Sequence, residues 1–530
     1  MVKNRSTLWY AALLVGWAFD VLYWNKPLGV SYFIHILLVL GALAWFSWKE
    51  EKRPAGTSYY LVPLILLFSF LTFIRVEPFT RTLNHFLSLG FLGLLLLSLQ
   101  GGRWFSYTLS DYLVSGFRFA LNMISLPFKL ITTREEEELQ SEGEESDQGP
   151  WKRIAPYLRG ILIALPLITV LAALLGEADP IFSNWLEDVI ELLRLEKLPE
   201  YILRLVLIFF WTLVAAGGLL YALVKSKEEK LVGVDQPWPP RFLGSTETTI
   251  VMGAINILYF SFVTIQFRYF FGGEKNINLD GYTYSEYARR GFGELLAVAF
   301  FTLFIIMVLS SITKRESKGS RITFSAMTGA MTAFIGVMLV SSLQRLALYE
   351  SAYGFSRLRT YSHLCILWIG ALFLAILGLE IAQKHRYFTL ASLAAAAGFL
   401  LTMNLVNVDS FIIRRNIQRQ EAEEAALDTH YLHTLSADAI PTLIDKWDDP
   451  ALSSLEQDEI EAVLACRAFA LNEEERKWQS FTLPVYRAQK ALEQHSELWQ
   501  DVNLLEDKYG NTYTAVGEKK FYCYSRGWID

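Results

Sequence analysis

The chain has 530 residues, 53% of them hydrophobic and 14% aromatic, with a mean hydropathy of +0.29. Its apolar residues gather into runs of about 20, the length that crosses a hydrocarbon core, which excludes an ordinary soluble domain. The net charge of −6 hides an asymmetry: residues 407–530 hold 13 basic against 23 acidic side chains, net −10, which leaves net +4 for residues 1–406. That balance excludes a nucleic-acid binder, and three cysteines without zinc or CxxC spacing exclude a disulfide scaffold or a redox motif.

In chain order, MVKNRSTLWYAALLVGWAFDVLYW has the basic start of a signal sequence but bulky aromatics where a cleavage site needs small residues, so it reads as a retained first span. Further spans follow at 28–48, 59–75 and 81–99, joined by short loops, and residues 1–103 form a four-span bundle. In WFSYTLSDYLVSGFRFALNMISLPFKLI, Arg118 and Lys129 interrupt an apolar face, which predicts a helix lying in the membrane interface. The acidic run EEEELQSEGEESDQG then predicts a disordered linker, so that 104–153 separates two parts of the membrane domain. Residues 154–406 carry seven more candidate spans, at 154–175, 201–224, 249–271, 284–312, 322–343, 361–382 and 387–405, about 11 in all. Between the first two of these, Pro180 after Asp179 sets a turn before a short amphipathic helix.

Basic residues near the span ends set the expected orientation. Lys3, Lys49, Lys52, Arg103, Lys225, Lys314, Arg315 and Lys384 fall in one set of loops, and the alternate loops, with Lys26, Arg75, Arg81 and Arg357, hold fewer. The first set is expected to be cytoplasmic. An odd span count then places the acidic tail outside the cell.

The stretch GYTYSEYARRGFGELL, residues 281–296, joins a polar loop to a span. Thr283 and Glu286 have the spacing of a capping box, and Glu286, Arg290 and Glu294 form a ladder of alternating sign on one helix side with Arg289 beside it. Two readings stay open. One is interfacial anchoring, with Tyr at headgroup level and the arginines snorkelling; the other is a polar site facing neighbouring helices, since ionisable groups inside a span are costly. Asp20, His35, His85, Asn256, Gln344, Arg345, Glu350, Glu380 and Asn404 also lie in or near spans, as interhelical ties or as parts of a polar pathway.

Beyond residue 406 the apolar runs stop. Residues 407–530 predict an extramembrane, mainly helical domain, with Ser436 and Ser454 as N-caps. Two β-prone pieces around Val516-Gly517-Glu518 predict a hairpin or two short strands. Cys466 and Cys523 share this tail and can pair if it lies outside. His430 and His433, at i and i+3 beside Asp428, lack a third firm ligand for a metal. No phosphate-cradling glycine loop, HExxH, GxSxG or calcium loop occurs, and no metal or cofactor is expected.

The runs GYTYSEYARRGFGELL, ADPIFSNW, NLVNVDSFIIRRNIQR and LDTHYLHTLSADAIPTLI together resemble a bacterial membrane family catalogued only as a domain of unknown function, number four-one-seven-three. The likeness spans most of residues 155–446. It implies a bacterial cell-membrane protein with a multi-span domain and an extramembrane helical segment, and no assigned reaction. The matching positions include Tyr284, Glu286, Arg289, Arg290, Asp409, Arg415 and Asn416; where the family tail has Asp-Tyr-Leu, this chain has His430-Tyr431-Leu432, which counts against a histidine metal site. With Asp179, Glu294 and Arg345, these residues make up the candidate polar site. The expected partners are the lipid bilayer and an envelope protein or lipid. Three classes of function stay open: a non-enzymatic scaffold or sensor, which the lack of catalytic motifs favours; a transporter of a small solute or lipid-like molecule; and a membrane-embedded transferase or hydrolase using Asp179, Glu286 and the arginines.

Overall fold

The computed structural model describes residues 2–141, 164, 171, 175, 182, 198–227, 231, 240–270, 292–423, 427–473 and 476–523. The fold is all-α apart from one small sheet, and ten helices among these residues are long and apolar enough to cross a membrane. The eleventh expected span, 154–175, falls outside the described residues except at isolated positions.

Helices α1 (Arg5–Tyr23), α2 (Val30–Lys49), α3 (Leu61–Ile74) and α4 (Pro78–Ser98) follow the predicted N-terminal spans. After α5 (Leu109–Ser141) comes α6 (Leu198–Leu220), which ends in a wider π turn at Tyr221–Lys225. Then come α7 (Ser245–Phe270), α8 (Phe292–Ile312), α9 (Lys318–Tyr353), α10 (Arg357–Ile381) and α11 (Phe388–Val406). Their outer faces stay uncovered in the isolated chain, with Leu205, Ile257, Phe301, Leu374 and Leu405 all exposed. Apolar side chains in that state are those of helices meant for a hydrocarbon solvent.

Two cores fill the helical region. One joins α1 to α6 and is centred on Phe46, Ile65, Phe68 and Leu223; the other joins α7 to α10 around Met252, Ile306, Met331 and Phe373. Helix α6 packs along α1, where Arg204 donates to both carboxylate oxygens of Asp20 at 2.8 and 2.6 Å. Tertiary packing therefore attaches α6 to the N-terminal helices.

Helix α5 departs from the flat interfacial helix expected here. It starts in a Thr108–Asp111 box, in which Asp111 Oδ2 accepts from the Thr108 N–H at 2.9 Å. Phe119 then meets Tyr221, and four residues later Met123 lies against Gly217. Partner numbers fall as α5 advances, so α5 runs antiparallel alongside α6, with Leu113, Phe117, Leu121 and Ile124 exposed on its outer side. A Cβ on Gly217 would sit 1.7 Å from the Met123 carbonyl oxygen, so only glycine permits this approach. The acidic run expected to be a disordered linker begins inside α5, which is helical through Ser141.

The connections sort to two ends. At one, the Lys3 and Asn4 N–H groups donate to the Glu50 carboxylate at 3.0 and 2.6 Å, Lys52 Nζ donates to the Leu223 carbonyl at 2.6 Å, and the Gln100 N–H donates to Ser226 Oγ at 3.1 Å. At the other end sits the C-terminal domain. Asn407, left-handed at φ 53°, ends α11 and lets α12 (Val408–Glu423) begin at the next residue. Around α12 pack α13 (Thr429–His433), α14 (Ile440–Asp445), α15 (Ser454–Glu473) and α16 (Leu483–Gln494). The α15 cap is Ser453, one residue before the Ser454 expected, because Glu456 Oε2 accepts from both the Ser453 N–H and its hydroxyl. Ser436 caps no helix; its hydroxyl accepts from the Asp438 N–H. The predicted hairpin is β2 (Thr512–Val516) and β3 (Lys519–Tyr522), turning at Gly517-Glu518, and β1 (Leu505–Glu506) adds a third antiparallel strand. A Cys466–Cys523 disulfide ties the end of this sheet to α15.

Gly217→Val should lower the midpoint of thermal unfolding in detergent, with an overpacking cost of about 1–3 kcal/mol. Gly218→Ala, whose added Cβ would meet Leu96 Cδ1 at an ordinary 3.4 Å, should leave it nearly unchanged.

Candidate functional site at the C-terminal domain junction

Three short turns of the helical region rise into the C-terminal domain, and each brings a buried charge or a close backbone contact. The first is Asn25–Gly29. The Val30 N–H donates to the Phe481 carbonyl at 2.9 Å and Ser480 Oγ donates to the Pro27 carbonyl at 2.9 Å. Gly29 is required there, because a Cβ would meet the Ser480 carbonyl carbon at 2.5 Å.

The second is Arg75–Glu77. Glu77 is the N-cap of α4, its carboxylate accepting from the Phe79 and Thr80 N–H groups at 3.0 and 2.8 Å, with Pro78 pre-set at the first helical position. Asp438 of the C-terminal domain accepts from the Val76 and Glu77 N–H groups at 2.8 and 3.1 Å, while Arg75 Nη1 approaches its other oxygen at 3.4 Å. Arg75 Nε also donates to the Asn404 carbonyl at 2.9 Å.

The third is the turn before α10. Arg357 makes a two-pronged pair with Asp409 of α12, at 2.8 and 2.7 Å, and its N–H donates to the Tyr431 hydroxyl at 2.8 Å. Asp409 also accepts from the Ser436 N–H at 2.7 Å. One turn along α10, the Tyr361 hydroxyl donates to Glu77 Oε1, which lies 4.0 Å from Arg357 Nε. The second and third turns thus share one network, in which Glu77, Asp409 and Asp438 are all buried.

Every carboxylate here is engaged by several donors, as buried charges require. Chemically the arrangement is a clamp, since saturated carboxylates are poor general bases. Burial pushes Asp438 from its ordinary 3.8 up to about 6, against the opposing pull of Arg75 and the two N–H groups. Nearby, burial and then the Arg467 charge push His433 down to about 3, so it is neutral near pH 7; its Nε2 lies 2.9 Å from the Tyr522 carbonyl oxygen.

Of the residues singled out by sequence, Asp409 and Asn416 belong to this junction. The Asn416 side chain accepts from the Phe355 N–H at 2.6 Å and donates to the Phe355 carbonyl at 3.0 Å, fixing the turn that carries Arg357. Arg415 is exposed beside the Phe411 ring and donates to Gln418 Oε1 at 3.4 Å. Glu294 is at an exposed position in the first turn of α8, and Arg345 is half-buried on α9. Asp179, Tyr284, Glu286, Arg289 and Arg290 lie outside the described residues, as does the loop expected to pack on 407–419. The partner of Asp409 in the structure is Arg357. Sequence reasoning missed Glu77, Arg357 and Asp438; an acid directly before Pro78 is the one local signal, that of a capped helix start. The polar groups within the spans are mainly ties: Asn84 and Asn404 exchange amide hydrogen bonds at 3.0 Å, Asn256 Nδ2 donates to the Met252 and Met327 carbonyls at 2.9 and 3.2 Å, and Arg315 pairs with Glu380 at 2.6 Å.

Fold and junction define the class: an all-α protein of many membrane-length helices, carrying a helical domain clamped on one end. The chain belongs to the family described as Domain of unknown function (DUF4153), whose model matches residues 62–446, from α3 to the end of α14. The family number therefore differs from the four-one-seven-three to which the motifs pointed. No curated protein and no solved structure matches the chain.

Arg357→Ala strands buried Asp409 and should destabilise the folded protein by about 3–5 kcal/mol, whereas Arg357→Met combined with Asp409→Leu should recover most of that loss in thermal melts. The pH dependence has two opposed parts. Neutral His433 makes stability rise with pH between about 3 and 6.5, because the unfolded chain there binds a proton that the folded chain does not. Asp438 makes it fall between about 4 and 6, because there the folded chain holds the proton. Asp438→Asn should therefore steepen the rise of stability with pH across 4–6, and His433→Gln should flatten it, as read by melting temperature against pH.

Proposed function

We propose that this protein is a scaffold or sensor of a bacterial cell membrane, with its N-terminus in the cytoplasm and its C-terminal domain outside, where that domain engages an envelope protein or lipid. The single observation that carries this reading is the buried clamp of Arg75, Glu77, Arg357, Asp409 and Asp438. It joins the C-terminal domain to loops from both helical cores, so an event at one body is felt by the other. Saturated carboxylates suit transmission of position more than proton transfer. The orientation is supported by the basic residues Lys3, Lys49, Lys52, Arg103, Lys225 and Lys314 at the end remote from the C-terminal domain. The Cys466–Cys523 disulfide supports it independently, since such bonds persist in oxidising compartments.

In intact cells, a cysteine introduced at Ser496 should react with a membrane-impermeant maleimide, and one introduced at exposed Glu51, at the end remote from the C-terminal domain, should react only after the membrane is opened. Equal reaction at both from outside would overturn the orientation. A site-specific photocrosslinker at exposed Tyr486 or Tyr509 should capture one defined envelope component, and that capture should weaken severalfold in Asp409→Asn without loss of the folded protein. Capture that ignores the clamp would overturn the coupling.

A further inference from the structure

Between the two helical cores lies an apolar crevice of about 540 Å³, within the size range of about 300–1,000 Å³ typical of ligand sites. Its walls are α4, α8, α10 and α11. The linings on α4, α8 and α10 come from the half of each helix nearest the C-terminal domain, such as Phe79 and Phe86 of α4 and Phe300 of α8, and the α11 lining, from Ala396 to Leu400, sits at mid-helix. The lining on α4 runs from Phe79 to Leu87, about 12 Å of helix at 1.5 Å per residue, close to the depth of about 15 Å of one hydrocarbon leaflet.

All four walls are membrane-length helices, and among the described residues their exposed lining, Phe79, Phe86 and Phe300, is apolar surface of the kind that faces hydrocarbon. The mouth of the crevice is different in kind. Tyr361 lines the crevice, its ring tilted against Phe79 with centroids 4.8 Å apart, and donates its hydroxyl to Glu77, beside the Arg357–Asp409 pair. An apolar slot one leaflet deep, ending at a polar cluster at headgroup level, matches an amphipathic molecule with a long chain. We infer that the crevice holds one phospholipid of the leaflet facing the C-terminal domain, its acyl chain between the two cores and its head at the Tyr361 end.

The chain supplies its own probe. Of the three cysteines, two form the disulfide, and the third, Cys365, is half-buried in the crevice wall. The test uses the full chain in detergent, with long-chain phosphatidylglycerol and its dihexanoyl analogue as probes. Native mass spectrometry should show one long-chain lipid retained per protein, and that lipid should slow modification of Cys365 by a lipophilic maleimide at least fivefold. The dihexanoyl analogue, which offers the same head without the chain, should do neither. Prior maleimide modification of Cys365, which fills the slot without a mutation, should reduce lipid retention at least fivefold, as should Ala396→Phe at unchanged melting temperature. Retention that survives a filled slot, or a Cys365 rate indifferent to long-chain lipid, would overturn the assignment; equal protection by the dihexanoyl analogue would show a headgroup site in its place.

Discussion

Asp409 is the point on which the two bodies of this protein meet. Its carboxylate is buried at the first turn of the C-terminal domain's central helix and is held by the Arg357 guanidinium from α10 and the Ser436 backbone. Removing such a charge from water is expensive, and the pair repays that cost only in this geometry. The geometry in turn requires Asn407 to end α11 in a left-handed residue, and Asn416 to hold the turn before α10. A pair that is of little net value when perfect and costly when broken acts less as a source of stability than as a device that fixes one arrangement.

Around it, the same logic repeats with different chemistry. Glu77 satisfies the start of α4 with its own carboxylate, and its backbone N–H is claimed by Asp438 from the other body. Gly29 lets the first loop touch the Trp478–Ser480 turn. The C-terminal domain is thereby held at three places that belong to different helices, and rocking it on one of them strains the others. Since the attached loops come from both helical cores, the domain also limits how far those cores can separate across the apolar crevice.

Within the C-terminal domain, a second set of buried polar groups runs behind the clamp. Arg467 of α15 donates to the His433 and Leu435 carbonyls, and His433 faces the Tyr522 carbonyl next to the disulfide. Desolvation and the adjacent guanidinium keep this histidine neutral, so it contributes shape and one hydrogen bond instead of charge. The terminal sheet is thus fastened to the same short helix whose neighbour, Ser436, holds Asp409.

The sequence by itself determined the elements. Runs of about 20 apolar residues can be satisfied in lipid only as helices, so α1 to α4, α6, α7, α10 and α11 were legible within a few residues, as was the turn at Gly517, whereas α9 runs ten residues past the expected 343 and α8 is described only from Phe292. Basic residues sorted the loops into the two sets that the structure places at two ends. Tertiary structure alone decided which charges meet. Arg357 and Asp409 are 52 residues apart and Val76 and Asp438 are 362 apart, and nothing in local periodicity addresses one to the other. For the same reason α5, whose two charges suggested a helix lying flat, stands against α6: its orientation rests on Gly217, a residue on a different helix, offering no side chain where Met123 arrives. Helix formation is settled by hydrogen bonds within a segment, whereas charge pairing and helix direction depend on how segments pack.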